Sequence, residues 1–402
     1  MLGRVRSALT HLECSDCGRE HDADRLQNLC ECGGPLLARY DLEGVTVTPD
    51  EIARRPRGIW RWAELLPVRD EARRLTLGEG ETPLLNLPSL GLRGLVVKDE
   101  GLNPTGSFKA RGAAVGAARA AELGATHVAL PTNGNAGAAW AAYGRRHGLD
   151  VTVAVPATAP AVTHREARAA GADVQVVDGL IGDAGRLVGR AAAARDWFDV
   201  STLKEPYRVE GKKTMGLEIA EQLGWRAPEV VVYPTGGGVG LIGIAKAFAE
   251  LRELGWLTGP TTRFVAAQSS GCAPVVDAFE RGADDVEPFP NPETIAYGIT
   301  VAGPLGGRQV LRALRAGGGT AVAVDDEDAL ATRDECACGD GLLLSPEGAV
   351  AVHAARVLAD RGWVACDERI VVMGTGSPLV QPELLPVPTG LIARDGELRG
   401  HG

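Results

Sequence analysis

From residue 94 onward, short apolar runs alternate with longer stretches in which alanine and other apolar residues recur at helical spacing. The runs at 95–98, 127–130, 151–155, 174–177, 230–233, 264–267 and 370–373 read as strands buried on both faces. The periodic stretches predict helices over about 107–123, 135–147, 183–195, 213–224, 240–254 and 346–361. Strand–helix alternation of this kind predicts an α/β fold of parallel or mostly parallel twisted sheet flanked by helices. The units outnumber those of one ordinary open sheet, so two lobes are expected, over 79–200 and 201–385. Ahead of them, residues 43–78 read as a linker with one amphipathic helix near 59–66, where Trp60 and Trp62 are packing residues. Residues 1–42 read as a small separate unit and 386–402 as an irregular tail.

Composition narrows the function classes. Of 402 residues 45% are hydrophobic, and 42 Lys+Arg against 52 Asp+Glu give a net charge of −10, which argues against a nucleic-acid partner. No apolar run is long enough to cross a bilayer, and the first residues lack the apolar core of a signal peptide. A cytoplasmic protein with reduced thiols and no membrane partner is expected.

Four of the eight cysteines crowd the first 32 residues, as Cys14-x2-Cys17 and Cys30-x-Cys32. Two tight cysteine knuckles, each followed by glycine (Gly18, Gly33-Gly34), suit four thiolates around a structural zinc ion. The second pair is one residue shorter than the commonest spacing, and a metal-free or degraded ribbon, or disulfides, are the alternatives.

Candidate chemistry gathers where strands end and helices begin, the usual ligand-binding edge of parallel sheets. Thr132-Asn133-Gly134-Asn135-Ala136 follows one strand and offers hydroxyl, amide and backbone N–H groups to a carboxylate. Gly236-Gly237-Gly238-Val239-Gly240 follows another and opens a helix, a cradle for a compact phosphate rather than a nucleotide loop. After the last strand, a hydroxyl of Thr375 or Ser377 can pair with a neutral ring nitrogen. Lys109 lies in the first turn of a helix that Ser107 can cap, near the positive end of the helix dipole and beside Arg111. Both influences favour the neutral amine, and apolar neighbours such as Phe108 add desolvation. A neutral amine attacks aldehydes. An amine, a carboxylate loop, a phosphate cradle and a ring-nitrogen partner are the set that pyridoxal phosphate requires.

The motifs themselves resemble the threonine synthases, within the pyridoxal-phosphate enzymes of the tryptophan-synthase-β type (fold type II). Those that carry the resemblance are Leu-Gly-Glu-Gly-Glu-Thr-Pro-Leu at 77–84, Lys-Asp-Glu-Gly-Leu-Asn-Pro-Thr-Gly-Ser-Phe-Lys at 98–109, Asn-Gly-Asn-Ala-Gly at 133–137 and the glycine loop. The resemblance runs from the cysteine unit to about residue 380. It implies a carbon–oxygen lyase that converts O-phospho-L-homoserine and water to L-threonine and phosphate, working as a homodimer or other homo-oligomer on a small amino-acid substrate. By motif position it implies that Lys109 holds the cofactor aldehyde, Asn135 its ring hydroxyl, Gly236 to Gly240 its phosphate and Thr375 its ring nitrogen. It further implies that Arg208 binds the substrate phosphate. Ala110 stands where the family usually has Asp, Gly237 where it often has Asn, and Ser201 and Thr202 are the nearest hydroxyls to Arg208. A serine/threonine dehydratase or another β- or γ-replacement enzyme of the same fold is the alternative.

Overall fold

A computed structural model describes residues 5–365 and 367–387. The chain opens with β1 (Leu9–Cys14), β2 (Glu20–His21) and β3 (Leu36–Tyr40), an antiparallel sheet in the order β2-β1-β3. A short helix, α1 (Pro49–Ala53), follows. The expected amphipathic helix near 59–66 is a 3-10 segment, Ile59–Leu65, broken at Trp62 (φ −94, ψ 26). Trp62 is fully buried, and the Trp60 indole donates to the Leu75 carbonyl at 3.0 Å.

The remaining elements in chain order are β4 (Leu84–Asn86), β5 (Leu95–Asp99), α2 (Lys109–Glu122), β6 (His127–Pro131), α3 (Asn135–Arg146), β7 (Asp150–Pro156), α4 (Ala161–Ala169), β8 (Asp173–Val177), α5 (Ile181–Arg195) and β9 (Phe198–Asp199). After these come α6 (Arg208–Gln222), β10 (Val230–Pro234), α7 (Val239–Glu253), β11 (Arg263–Ser269), α8 (Pro274–Glu280), α9 (Gly307–Ala316), β12 (Thr320–Val324), α10 (Asp326–Asp340), α11 (Pro346–Asp360) and β13 (Ile370–Gly374). They build a six-stranded sheet, β12-β11-β10-β13-β5-β4, and a four-stranded sheet, β8-β7-β6-β9. Every pairing in the two sheets is parallel except that of β4 with β5. Among the described residues no helix is long and apolar enough to cross a membrane.

The α/β class is as expected, but the sheets do not divide where the sequence reading divides them. Strands β4 and β5, placed in a first lobe over 79–200, pair with β13 and belong to the large sheet; only β6 to β9 form the small one. A buried run of Leu95-Val96-Val97 announces a strand but carries no information about its neighbour. Strand β12, absent from the reading, is a weak apolar run that exposes Ala323. The tail expected over 386–402 lies, from residue 388, outside the described residues.

Glycine and alanine let the helices beside the sheets approach closely. A Cβ on Gly211 would lie 2.1 Å from the Arg111 carbonyl, and one on Gly216 would lie 2.6 Å from the Ala247 Cβ. Helix α6 is thereby pressed against both α2 and α7. The cysteine unit packs on the same body: Tyr207 donates to the Ala23 carbonyl at 2.6 Å, and Tyr40 to Glu210 at 2.8 Å.

Candidate active site

A cavity of about 350 Å³ opens between the two sheets, at the carboxyl ends of β6, β9, β10 and β13. Its wall contains Lys109, Thr132 to Ala136, Ser201, Thr202, Lys204, Gly236 to Gly240, Tyr297, Glu347 and Thr375. With the exception of Arg208, every residue that the sequence placed at the cofactor or substrate is therefore in one cavity.

Lys109 is the first residue of α2. The turn before it is left-handed, with Thr105 at φ 60 and Gly106 at φ 62. It is tied to the chain after β13: the Phe108 N–H donates to the Thr375 carbonyl at 3.1 Å, and Ser377 N–H to the Gly106 carbonyl at 2.7 Å. These bonds hold Lys109 and Thr375 in one frame. Ser107, expected to cap the helix, meets only the Lys109 N–H, at a long 3.4 Å. It instead forms a bridge with Gly376.

Burial pulls the Lys109 amine down to about 8; the Arg208 guanidinium adds to that effect and Glu347 opposes it. The direction is the expected one, but the cation responsible is different. Arg111 turns away from Lys109, and its guanidinium is held by Glu100 (2.6 and 2.8 Å) and Glu218 (2.7 Å). The reason is helical geometry: residues two apart on a helix do not face each other. Arg208, distant in sequence, comes near through the contact of α6 with α2.

The loop after β6 is braced from within. The Thr132 hydroxyl accepts from Gly134 N–H (2.9 Å) and Gly137 N–H (3.3 Å), and Asn133 donates to the Tyr297 and Thr300 carbonyls at 3.2 and 3.0 Å. Gly134, at φ 137, permits the turn into α3. Asn135 and Ala136 open α3, so backbone N–H groups at a helix start face the cavity. On the opposite wall, a Cβ on Gly236 would lie 2.9 Å from the Ile299 Cα, and one on Gly240 would lie 1.8 Å from the Tyr233 hydroxyl oxygen. Gly238, at φ +76, leads into α7 at Val239, and a Cβ on Gly237 would lie 3.2 Å from the Thr202 Cγ2. This is a cradle that side chains would fill. With the amine of Lys109 and the hydroxyl of Thr375 in the same cavity, it fits the phosphate, aldehyde and ring nitrogen of pyridoxal phosphate.

Arg208 is not in the wall. Its guanidinium donates to the Val200 carbonyl at 2.7 Å and lies over the Trp140 ring. The cation exposed to the cavity at this end is Lys204, 2.8 Å from Asp199. Among the wall residues that were not foreseen are Glu347, Tyr297 and Leu29. Glu347 accepts from the Gly298 N–H at 2.8 Å; its Ser-Pro-Glu context reads as an ordinary helix start. Tyr297, whose hydroxyl is pushed up by burial and by Glu347, lies in a segment without periodicity. Leu29 reaches the cavity from the cysteine unit, between Cys30 and Asn28, which donates to the Asp199 and Lys204 carbonyls at 2.7 and 3.2 Å.

The four cysteine sulfurs lie within 4.8 Å of one another, with Cys14–Cys32 at 3.4 Å and Cys17–Cys30 at 3.7 Å. Tetrahedral ligation of zinc at a Zn–S distance near 2.3 Å places sulfurs about 3.8 Å apart, so the cluster fits the metal.

A family model described as pyridoxal-phosphate dependent enzyme matches residues 75–376. The threonine synthase of Methanosarcina acetivorans is 37% identical over 379 residues, 93% of this chain and 93% of that protein. That of Methanocaldococcus jannaschii is 36% identical, covering 92% and 93%. That of Mycobacterium tuberculosis is 32% identical, covering 84% and 94%. Among solved structures, threonine deaminase isoform 2 from Solanum lycopersicum has a TM-score of 0.62 at 22% identity, over 74% of this chain and 84% of that one. Maize serine racemase has 0.63 at 22%, over 74% and 88%. At that identity the two structures speak for the fold alone.

Proposed function

Since the chain belongs to the pyridoxal-phosphate dependent enzymes, and among them to the threonine synthases, we propose that it converts O-phospho-L-homoserine and water to L-threonine and phosphate. The observation that carries this reading is Lys109, its amine lowered to about 8, facing a glycine cradle and a hydroxyl across one cavity. Bound pyridoxal phosphate supplies a conjugated ring that delocalises negative charge from the substrate Cα. Backbone N–H groups of 236–240 would hold the cofactor phosphate, Asn135 its ring hydroxyl, and Thr375 its ring nitrogen. With the cofactor bound, the Lys109 amine would carry protons at the substrate Cα and Cβ. Residues 132–136 hold the substrate carboxylate at the start of α3. Ser201, Thr202 and Lys204 face its phosphate, and Arg208 adds positive potential from behind them. One Arg208 nitrogen is taken by the Val200 carbonyl, and the guanidinium has further N–H donors.

The test is turnover of O-phospho-L-homoserine by the purified protein, read as phosphate and threonine in equal amounts. Arg208→Ala and Lys204→Ala should each raise KM for the phosphorylated substrate. Dehydration of threonine or serine without threonine formation would instead establish the dehydratase reading, which Phe108-Lys109-Ala110-Arg111-Gly112-Ala113 favours.

For the cysteine unit we propose one structural zinc held by Cys14, Cys17, Cys30 and Cys32. Four thiolates leave no position open for catalysis. Because Asn28 and Leu29 precede Cys30 and support the 199–204 wall, stripping the metal should raise KM. Metal analysis of the purified chain checks the premise, and a zinc content far below one per chain removes it.

A further inference from the structure

The chain has six lysines: Lys98, Lys109, Lys204, Lys212, Lys213 and Lys246. Four have carboxylate partners: Lys98 with Glu218, Lys204 with Asp199, and Lys213 and Lys246 with Glu210 and Glu250. Among the described residues, Lys109 and Lys212 have none within salt-bridge distance. Lys109 faces the cavity. Lys212, on α6, is 1% exposed and does not line it.

The position of Lys212 is built by glycines. A Cβ on Gly112 would lie 2.7 Å from the Lys212 Cε, and one on Gly243 would lie 2.8 Å from its Cβ. The side chain runs through the slot these residues leave, and its Nζ donates to the carbonyl of Phe108, the residue before Lys109. Both amines lie beside one ring, with Lys212 Nζ at 4.3 Å and Lys109 Nζ at 4.2 Å from the Phe108 centroid.

We propose that Lys212 is a positioning residue for Lys109: through the Phe108 carbonyl it fixes the turn from which Lys109 projects, and it does so as an uncharged amine. This rests on the reading of Lys109 as the cofactor-binding lysine. The charged groups around Lys212 are Lys109 and Arg111 on α2, Arg208 on its own helix, and Glu100 beside β5. Of these groups Glu100 alone is negative, and Arg111, Thr82 and Asn103 already occupy it. Lys213 and Lys246 are neutralised by Glu210 and Glu250. Burial, with the Lys109 and Arg208 charges, accordingly drives the Lys212 amine well below its ordinary range. An arginine could not discharge at such a site, whereas a lysine can.

Nitrogen-15 NMR of the lysine-labelled holoenzyme tests the charge directly. At pH 7 one uncharged amine is expected, and it should vanish in Lys212→Met. Only ammonium signals would overturn the proposal, with no need for a variant that folds. Lys212→Met keeps the stem and removes the hydrogen bond, so attachment of pyridoxal phosphate, followed by its visible band, should slow about tenfold. Its pH midpoint should stay within about half a unit of the wild type. Attachment at the wild-type rate would reduce Lys212 to packing, and a midpoint raised by about a unit or more would show that it carries charge; either overturns the proposal. Wild-type protein that gains no visible band fails the reading of Lys109 itself, which separates the two failures.

Discussion

Replacing Lys109 by alanine is expected to lower turnover by about 10³-fold or more and to remove the visible band of bound cofactor, with the fold intact. The argument is local. Lys109 and Lys204 are the lysines that line the cavity, and Lys204 is occupied by Asp199. Nothing else in the wall can replace an amine that both holds an aldehyde and moves protons. The same amine sets the pH dependence. Below its value of about 8 it is protonated and unreactive, so cofactor attachment should rise about tenfold per pH unit towards pH 8 and then level off. The sign for stability follows from linkage. Between about 8 and the ordinary 10.5, the unfolded chain binds a proton at Lys109 that the folded chain does not. The cofactor-free protein should therefore gain stability as pH rises through that window, and Lys109→Met should flatten the gain. A variant that keeps the visible band, or turnover within tenfold of wild type, would remove Lys109 from the mechanism.

That Lys109 was legible in the sequence while its electrostatic partner was not has a physical basis. The Asn-Pro-Thr-Gly-Ser-Phe-Lys turn, the 132–136 loop and the glycine cradle are local objects: a left-handed Gly106 or Gly238 and a helix start leave their mark within a few residues. Arg208 acts on Lys109 only because α6 crosses α2 at the contact between Gly211 and the Arg111 carbonyl, 100 residues apart in the chain. Chain proximity pointed to Arg111, and the helical repeat turned it the other way. The sheet to which β5 belongs was hidden for a similar reason. The 95–99 run shows a strand, but its pairing with β13 is a property of the assembled sheet. Glu347 and Tyr297 enter the cavity from segments whose residues would serve equally well as a helix start and a surface loop. The chemistry carried by turns was readable, and the chemistry assembled by helix crossings was not.

The Arg111 side chain, turned from Lys109, supports the second large prediction: Arg111→Met should destabilise the protein by about 3–5 kcal/mol at pH 7. Arg111 and Glu100 are fully buried, Lys98 likewise, and Glu218 is 2% exposed. Burial alone would raise the Glu218 carboxyl; Arg111 and Lys98 outweigh it and hold it at about 2. Methionine fills much of the same volume but leaves Glu100 without its ion-pair partner and Glu218 with Lys98 alone. The cost of an uncompensated buried charge is a large part of the roughly 5–15 kcal/mol that stabilises a folded domain. The exposed pair Arg186–Asp183 is the control, and breaking it should cost less than about 1 kcal/mol. The sign of the pH effect distinguishes charge from packing. In the wild type, the Glu218 contribution is present above the ordinary carboxyl value of 4.5 and is lost as pH falls towards 2. In the variant the Glu218 carboxylate, relieved of the Arg111 charge, takes up a proton at higher pH, so the penalty should shrink between pH 7 and pH 5. Urea melts at the two pH values measure both effects. A loss below about 1 kcal/mol at pH 7, or one that does not change with pH, would mean that the cluster fills space rather than binding β5, α2 and α6 through its charges.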